Sequence, residues 1–171
     1  MKLKNIALAA MLAGSMLGNA YAEDFNIALT QSISNPSRYT AFFGNIPDGA
    51  AGTSFTDTFT FTPALLSAGQ VSSGVINIAL GPDNELTPFS ASLNGMAFTA
   101  SASEPGVYTL RNAWLTSGPI VLTISGLIGV DGGSYAGNIN VLAVPEPETY
   151  GMMLGGLALV GYLSRRRKLQ S

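Results

Sequence analysis

Phe55-Thr56-Asp57-Thr58-Phe59-Thr60-Phe61-Thr62 is the stretch that decides the fold class of this chain. Alternation with a period of two is typical of a β-strand, and here Phe55, Phe59 and Phe61 share one face with Asp57 while the threonines share the other. The phenylalanine face is predicted to lie in the core. A buried carboxylate without partners is costly, so Asp57 needs them unless it lies at a solvated sheet edge. The candidates are Arg38, Arg111 and backbone N–H groups of a neighbouring loop.

Further short runs of β-forming residues lie on both sides of this strand, divided by Gly, Pro, Asn and Asp. Asn94-Gly95 between two of them is a strong signal for a two-residue hairpin. Because no helical periodicity of useful length occurs in the body, we predict an all-β fold, an antiparallel β-sandwich of jelly-roll-like or Ig-like type. The predicted strands are 25–30, 38–43, 55–62, 75–80, 89–93, 97–101, 106–111, 120–125 and 135–142.

The N-terminus has the features of a secretory signal peptide. Lys2 and Lys4 precede an apolar run over residues 6–17, and Ala20-Tyr21-Ala22 has the A-x-A form of a cleavage site. We therefore expect residues 1–22 to be removed before Glu23. The alternative, a first transmembrane anchor, is disfavoured by the short apolar run and the small residues that follow it.

The C-terminal segment, residues 144–171, begins with Val144-Pro145-Glu146-Pro147. Neither proline can donate a backbone hydrogen bond, and each restricts the residue before it to extended conformations. We therefore expect a stiff, exposed segment that a processing enzyme can grip. It separates a predicted β-sandwich domain, residues 23–143, from the end of the chain.

An uncharged run over residues 150–163 follows, and it ends in a basic cluster, Arg165, Arg166, Arg167 and Lys168. As a helix the run spans roughly 20 Å against a hydrocarbon core of about 30 Å, so membrane insertion is expected to be marginal. The basic cluster would stay on the cytoplasmic side. The alternative is a buried C-terminal helix, which the glycines between 151 and 161 disfavour in water.

Without its two ends the chain is acidic. Residues 23–143 contain two arginines, no lysine and eight carboxylates, a net charge of about −6, and the chain has no His and no Cys. A Ser-His-Asp triad, a Cys-His dyad, a Ser-Lys dyad and an imidazole or thiolate metal site are therefore excluded from the body. Nucleic acid is not an expected partner, because this surface repels phosphate.

Two carboxylates suffice for a glycosidase, and on paper such a pair could be Asp83 with Glu85 or Asp57 with a distant partner. Pairs of surface acids are common by chance in an acidic domain, so we expect no enzyme and no catalytic residue. Calcium is the one metal that the composition permits, at Asp83-Asn84-Glu85 or Asp131-Gly132-Gly133. Turn formation explains both loops equally well, and we expect no cofactor.

The order of Pro-Glu-Pro, apolar helix and Arg-rich end resembles the PEP-CTERM sorting signal of Gram-negative bacteria, and the resemblance covers residues 144–168 without a gap. It implies export by the secretion machinery, a transient inner-membrane anchor, and cleavage near Pro-Glu-Pro by an exosortase, an integral-membrane processing enzyme. The product would then reach the cell surface or the extracellular space. The same tail is also called "ice-binding protein C-terminal domain", a name that does not imply that the body binds ice.

The body is similar to a PEP-CTERM subfamily with an FxDxF motif, here Phe55, Asp57 and Phe59. The resemblance extends to Gly133-Ser134-Tyr135-Ala136-Gly137-Asn138-Ile139-Asn140-Val141 before the tail. It implies an exported β-rich protein without an established activity, in a class associated with exopolysaccharide and biofilm production. It also implies a structural role for the FxDxF motif, with no part in catalysis.

Two functions of different classes follow from these observations. The first is a non-enzymatic envelope or extracellular-matrix protein sorted by an exosortase. The alternative is a secreted carbohydrate-binding module, with Tyr39, Tyr108 or Trp114 available to stack on a sugar, although core packing is the more frequent use of such residues. Ice binding through the threonine stripe is a distant third, since ice recognition needs a flat array over several strands.

Overall fold

Eleven strands and one helix make up the described part of the chain, residues 20–79, 85–144 and 147–168 of a computed structural model. The elements are β1 (Ala20–Ala28), β2 (Thr30–Gln31), β3 (Arg38–Asn45), β4 (Ser54–Leu65), β5 (Gly69–Ile78), β6 (Phe89–Leu93), β7 (Met96–Ala97), β8 (Thr99–Ala100), β9 (Val107–Leu115), β10 (Gly118–Leu127), β11 (Ser134–Ala143) and α1 (Pro147–Lys168).

The strands form two sheets with a shared apolar core. The first sheet has the order β1-β4-β10-β6-β7, and the second has the order β2-β3-β11-β5-β9-β8. On β4 the alternation is as predicted, because Phe55, Phe59 and Phe61 are each 1% exposed. They pack with inward residues of β10 and β11 such as Leu122 and Ile139. The β-sandwich prediction is confirmed at the level of two sheets packed on one core.

The predicted strands all overlap observed ones, but most of them are longer in the structure, β5 and β9 among them. Strand β5 begins at Gly69, six residues before the predicted start at Val75, and β9 continues to Leu115. The extra residues of β5 are Gln and Ser among others, which have a weak strand signal. They are extended because β5 is an interior strand, paired with β11 on one side and β9 on the other.

The predicted strand 97–101 is divided between the two sheets. Met96–Ala97 pairs with β6 in the first sheet, while Thr99–Ala100 pairs with β9 in the second. Phe98 lies between them and packs against the core. The chain therefore crosses from one sheet to the other here, which a one-dimensional pattern does not reveal.

The first sheet is mixed, which departs from the purely antiparallel prediction. Strand β1 runs parallel to β4, with Glu23 beside Asp57 and Phe25 beside Phe59. A parallel neighbour requires a long crossover connection. Here the connection contains β2 and β3 of the opposite sheet, so the chain leaves the first sheet after β1 and returns to it as β4.

The Asn94-Gly95 hairpin is confirmed. It joins β6 to β7, and both residues have positive φ, 47° and 81°. This is the pattern of a type I′ turn, which suits Asn followed by Gly. The Asn94 side chain also fixes the neighbouring strand, because its Oδ1 accepts from the Val121 N–H at 2.7 Å and its Nδ2 donates to the Pro119 carbonyl at 2.8 Å.

The two predicted targeting segments lie partly outside the described residues. Most of the predicted signal peptide, residues 1–19, does so, while Ala20 and Ala22 of the predicted cleavage site lie at the start of β1. At the other end, α1 covers the uncharged run and the basic cluster. Among the helices that the structure describes, none contains an apolar stretch long enough to cross a bilayer.

Candidate functional site

Asp57 lies at the centre of a hydrogen-bond cluster that joins the two sheets, in which Asp57 and Tyr135 are buried, Asn45 is half-buried and Glu23 is exposed. Its side chain is 1% exposed, and its Oδ2 accepts a hydrogen bond from the Tyr135 hydroxyl and another from Asn45 Nδ2 at 3.0 Å. The same amide nitrogen donates to Glu23 Oε2 at 2.9 Å. Asp57 and Glu23 belong to the first sheet and Asn45 and Tyr135 to the second, so the cluster connects the sheets across the core.

Two expectations about Asp57 are wrong. It does not lie at a solvated edge, and its partners are not Arg38 or Arg111, which are both exposed. The physical reason is desolvation. A buried ion pair would take two charges out of water, whereas hydrogen bonds from a hydroxyl and an amide satisfy the carboxylate with only one charge removed from water. Asn45 and Tyr135 can act together because they are paired in register on β3 and β11.

Tyr135 is the second central residue of this cluster. It is 2% exposed, and its ring packs against Phe55 at a centroid distance of 6.1 Å and against Phe59 at 6.2 Å. Burial raises the pKa of Tyr135, and the hydrogen bond to Asp57 raises it further. The hydroxyl therefore keeps its proton and remains a donor. The sequence predicts a strand over residues 135–142, and the alternation within it indicates at most that Tyr135 faces inward.

The FxDxF residues are thus brought together in the core, away from solvent. Phe59 stacks on Phe25 at 4.7 Å between ring centroids and also touches Phe43. The Oδ2 atom of Asp57 accepts from two donors of the other sheet, and aromatic rings pack beside it. Asp57 therefore stabilises the packing of the two sheets. Nothing in this geometry gives the carboxylate access to a substrate.

The sorting segment leaves the sandwich directly. Strand β11 ends at Ala143, and the next residue is still bound, because the Val144 N–H donates to the Ala68 carbonyl at 3.2 Å and Ser67 Oγ donates to the Val144 carbonyl at 2.5 Å. Pro145 and Glu146 lie outside the described residues, and Pro147 begins α1. Arg165, Arg166 and Arg167 lie in the last turns of this helix.

The outer face of the second sheet carries a polar groove, which we name the outer groove. It consists of two adjoining depressions of about 420 and 360 Å³ that share Ser72, Asn112 and Asn140. Strand register places its outward side chains in three rows across β3, β11, β5 and β9: Arg38, Leu142, Gln70 and Trp114; then Thr40, Asn140 and Ser72; then Phe42, Asn138, Gly74 and Thr109. Amide and hydroxyl groups therefore form most of its floor.

Of the aromatic residues proposed to stack on a sugar, only Trp114 is free to do so. Its side chain is 63% exposed, beside Gln70 of the outer groove. Tyr108 is half-buried and packs on Phe89 with ring centroids 5.0 Å apart, and Tyr39 packs against the core. Sequence analysis missed Phe42, which is 78% exposed at the opposite margin of the groove. Its signal was the alternation of 38–43, in which it falls on the outward face.

The threonine stripe lies on the outer face of the first sheet, as its alternation predicted. Register adds hydroxyls from neighbouring strands, because Thr58 lies beside Thr123 and Thr56 beside Ser125. Part of this face is already satisfied internally, since Thr56 Oγ1 and Ser125 Oγ are hydrogen-bonded at 3.1 Å. On β1 the same face includes Asp24, a charge in the array. Ice binding stays a prediction.

The structure gives little support to the two candidate calcium loops. Asp83 and Asn84 lie outside the described residues. Asp131 belongs to a tight turn in which the Gly132 N–H donates to the Gly129 carbonyl at 3.2 Å. Over the described ranges, no group of three or more acidic side chains is placed to hold a metal ion.

Residues 143–168 match the PEP-CTERM protein-sorting motif. The predicted resemblance of the tail is thereby confirmed, while the FxDxF subfamily and the ice-binding name stay predictions. A comparison with curated proteins finds no match.

Among the solved structures that are similar to this chain is the pre-peptidase C-terminal domain of a collagenase from Bacillus anthracis. It is 14% identical over 71% of this chain and 95% of that one, with a TM-score of 0.41. PliG, a periplasmic inhibitor of g-type lysozyme from Aeromonas hydrophila, is 8% identical over 71% of this chain and 97% of that one, with a TM-score of 0.28.

Proposed function

We propose that this chain is a non-enzymatic protein of the bacterial envelope or extracellular matrix, exported and then sorted by an exosortase through its C-terminal tail. The observation that carries the proposal is the sorting motif at residues 143–168, which starts where the last strand ends. The match supports export and membrane-associated sorting. The proposal adds three finer points. The source is a Gram-negative bacterium, the inner-membrane anchor is transient, and the destination is the envelope or the extracellular matrix.

The geometry of the tail adds a constraint on processing. Val144 is held by Ser67 and Ala68, and only three peptide bonds separate it from Pro147. At about 3.5 Å per residue, the Pro-Glu-Pro motif lies within roughly 10 Å of the folded sandwich. The exosortase therefore has to work at the surface of a folded domain, with almost no linker between them.

Processing is tested by the mass of the protein in cells with and without an exosortase. With the enzyme, the product should lack α1 and its basic end, while without it the tail should remain. Replacing Pro145, Glu146 and Pro147 by Ala should leave the tail attached in both strains, whereas Glu104→Ala, an exposed acid in a distant loop, should be processed normally. An unchanged mass in both strains for the natural sequence would contradict the proposal.

A non-enzymatic role is supported by the composition. The body contains no His, Cys or Lys, so the imidazole, thiolate and amine groups that often act as bases and nucleophiles at neutral pH are lacking. Among the described residues, Asp57 is the most deeply buried acid, and it is held by Tyr135 and Asn45. A binding or matrix role is the function that remains.

We also infer a second candidate function, the binding of extracellular polysaccharide, and the outer groove favours it. Sugar-binding faces combine amide and hydroxyl groups with an exposed aromatic ring. The groove offers Asn138, Asn140 and Asn112 on its floor and Trp114 at its margin. This function is compatible with the first, since a protein of the extracellular matrix can bind the polysaccharide of that matrix.

A glycan array with the full-length chain in mild detergent tests polysaccharide binding. We expect saturable binding to a subset of glycans, lowered about tenfold or more by Trp114→Ala, since a stacked ring supplies upwards of 1 kcal/mol. Leu66→Ala is the matched control, because Leu66 is 88% exposed but lies outside the outer groove. An array without signal from a folded protein would exclude this second function and leave the sorting proposal intact.

A further inference from the structure

The two arginines of the body lie on the same face of the protein, at opposite margins of the outer groove. Arg38 lines the depression on the β3 side, and Arg111 lines the one on the β9 side. Between these strands lie β11 and β5, which gives three strand spacings or roughly 14 Å. The groove floor therefore runs from one guanidinium to the other.

A β-bulge shapes the groove around Arg111. The register of β9 against β5 shifts between Val71 and Ser73, so that Arg111 and Asn112 lie opposite the single residue Ser72. Asn112 has a φ of 51°, and its N–H donates to Ser72 Oγ at 3.0 Å. Bulges are frequent at functional sites because they re-aim a side chain. Here both Arg111 and Asn112 line the groove.

Charge is unevenly distributed over the body. The four strands that form the groove contain both arginines and no acidic residue, although the body carries eight carboxylates. Glu23, Asp24 and Asp57 belong to the first sheet, and the other described acids are in connections. At physiological salt, charges further than about 8 Å apart are largely screened. Among the described residues, no acid lines either depression, so the two arginines make the groove a locally cationic surface on an acidic protein.

Both guanidinium groups belong to exposed side chains. Within the described part of the chain neither forms an ion pair or a side-chain hydrogen bond. A guanidinium presents its donors as a planar fork that matches a carboxylate. Two such forks at the ends of an amide-lined floor provide a site for a chain of polar rings that carries carboxylates.

We propose that the outer groove binds a carboxylate-bearing polysaccharide, with Arg38 and Arg111 pairing with its carboxylates and the amide side chains between them contacting its hydroxyls. This inference rests on the polysaccharide-binding function proposed above and specifies its ligand class. The polymer lies across the strands, from β3 to β9. Trp114 and Phe42 supply apolar contact at the two margins.

The test compares binding of the full-length chain in mild detergent to polygalacturonate, to neutral dextran and to polyglutamate, at physiological salt. We expect polygalacturonate to bind best, and Arg38→Gln or Arg111→Gln to weaken that binding about tenfold each, as for a lost charge-assisted hydrogen bond. The double variant should lose nearly all of it. Any binding to dextran should be unaffected by either arginine.

The control for net charge is Arg38→Gln combined with Asn26→Arg. Asn26 is exposed on β1 of the first sheet, so this variant keeps the total charge and moves one guanidinium out of the groove. We expect it to bind as weakly as Arg38→Gln alone. Recovery of binding would show that only total charge matters and would overturn the proposal.

The remaining outcomes separate the two proposals. Equal binding of polygalacturonate and dextran, insensitive to both arginines, would overturn the carboxylate inference and leave polysaccharide binding in place. Polyglutamate binding as tightly as polygalacturonate would show non-specific attraction to polyanions and would also overturn it. No binding of any polysaccharide by a folded protein would overturn the polysaccharide-binding function itself, and the carboxylate inference with it.

Discussion

Replacing Asp57 by Ala should lower the free energy of unfolding by about 2–4 kcal/mol, because a buried hydroxyl and a half-buried amide lose an acceptor. The Tyr135 hydroxyl would be left without a partner in the core, while the Asn45 amide would keep only its hydrogen bond to Glu23. Folded domains are stable by only about 5–15 kcal/mol, so a loss of this size is a substantial fraction of the total. Urea unfolding followed by circular dichroism measures the loss.

Two further variants make this result specific to the cluster. Asp57→Asn keeps one acceptor oxygen and the shape of the side chain, and should cost less than Asp57→Ala. Asp24→Ala removes an exposed carboxylate from the neighbouring strand and should change stability by no more than about 0.5 kcal/mol. If Asp57→Ala were no more destabilising than Asp24→Ala, the cluster would not hold the two sheets together.

Gly137→Ala should destabilise the protein by about 3 kcal/mol or more. A Cβ at this position would collide with the Gly74 carbonyl oxygen and with the Phe43 ring, which covers Gly137 from the adjacent strand. Overpacking of this kind usually costs about 1–3 kcal/mol, and a clash with backbone leaves less room for relaxation. The midpoint of urea unfolding measures the effect.

Gly74 provides the matched control, because it lies on the neighbouring strand but points outward. The nearest atom to an added Cβ there is Asn138 Oδ1 at 3.8 Å, an ordinary van der Waals distance. Gly74→Ala should therefore be neutral or stabilise by up to about 1 kcal/mol, since it restricts the unfolded chain. A similar loss at both positions would mean that strand glycines matter here for reasons other than the Phe43 contact.

Much of the fold was predictable because it depends on local patterns. The alternation of 55–62 identified the buried face of β4, and Asn94-Gly95 identified a turn whose residues both need positive φ. The composition identified a body without imidazole, thiol or lysine side chains. The tail was identified from the order of its three parts. In each case the physical cause is composition or the order of residues that are near one another in the chain.

The partners of Asp57 were not predictable in this way. Asn45 and Tyr135 lie 12 and 78 residues from it along the chain, and neither has a local signal that marks it as a donor to a carboxylate. The expectation of an arginine partner followed from charge alone. It neglected that Arg38 and Arg111 belong to strand positions that face solvent, where their hydration is retained.

The sequence by itself determined the class of the fold, the exclusion of common catalytic chemistries from the body and the sorting motif of the tail, because these depend on composition and on short-range order. Only the tertiary structure decided which side chains share a surface. The outer groove draws its residues from β3, β5, β9 and β11, and the parallel pairing of β1 with β4 places Glu23 beside Asp57. The physical reason is that strand order and register arise from the packing of the whole core, and no single stretch of the chain specifies that packing.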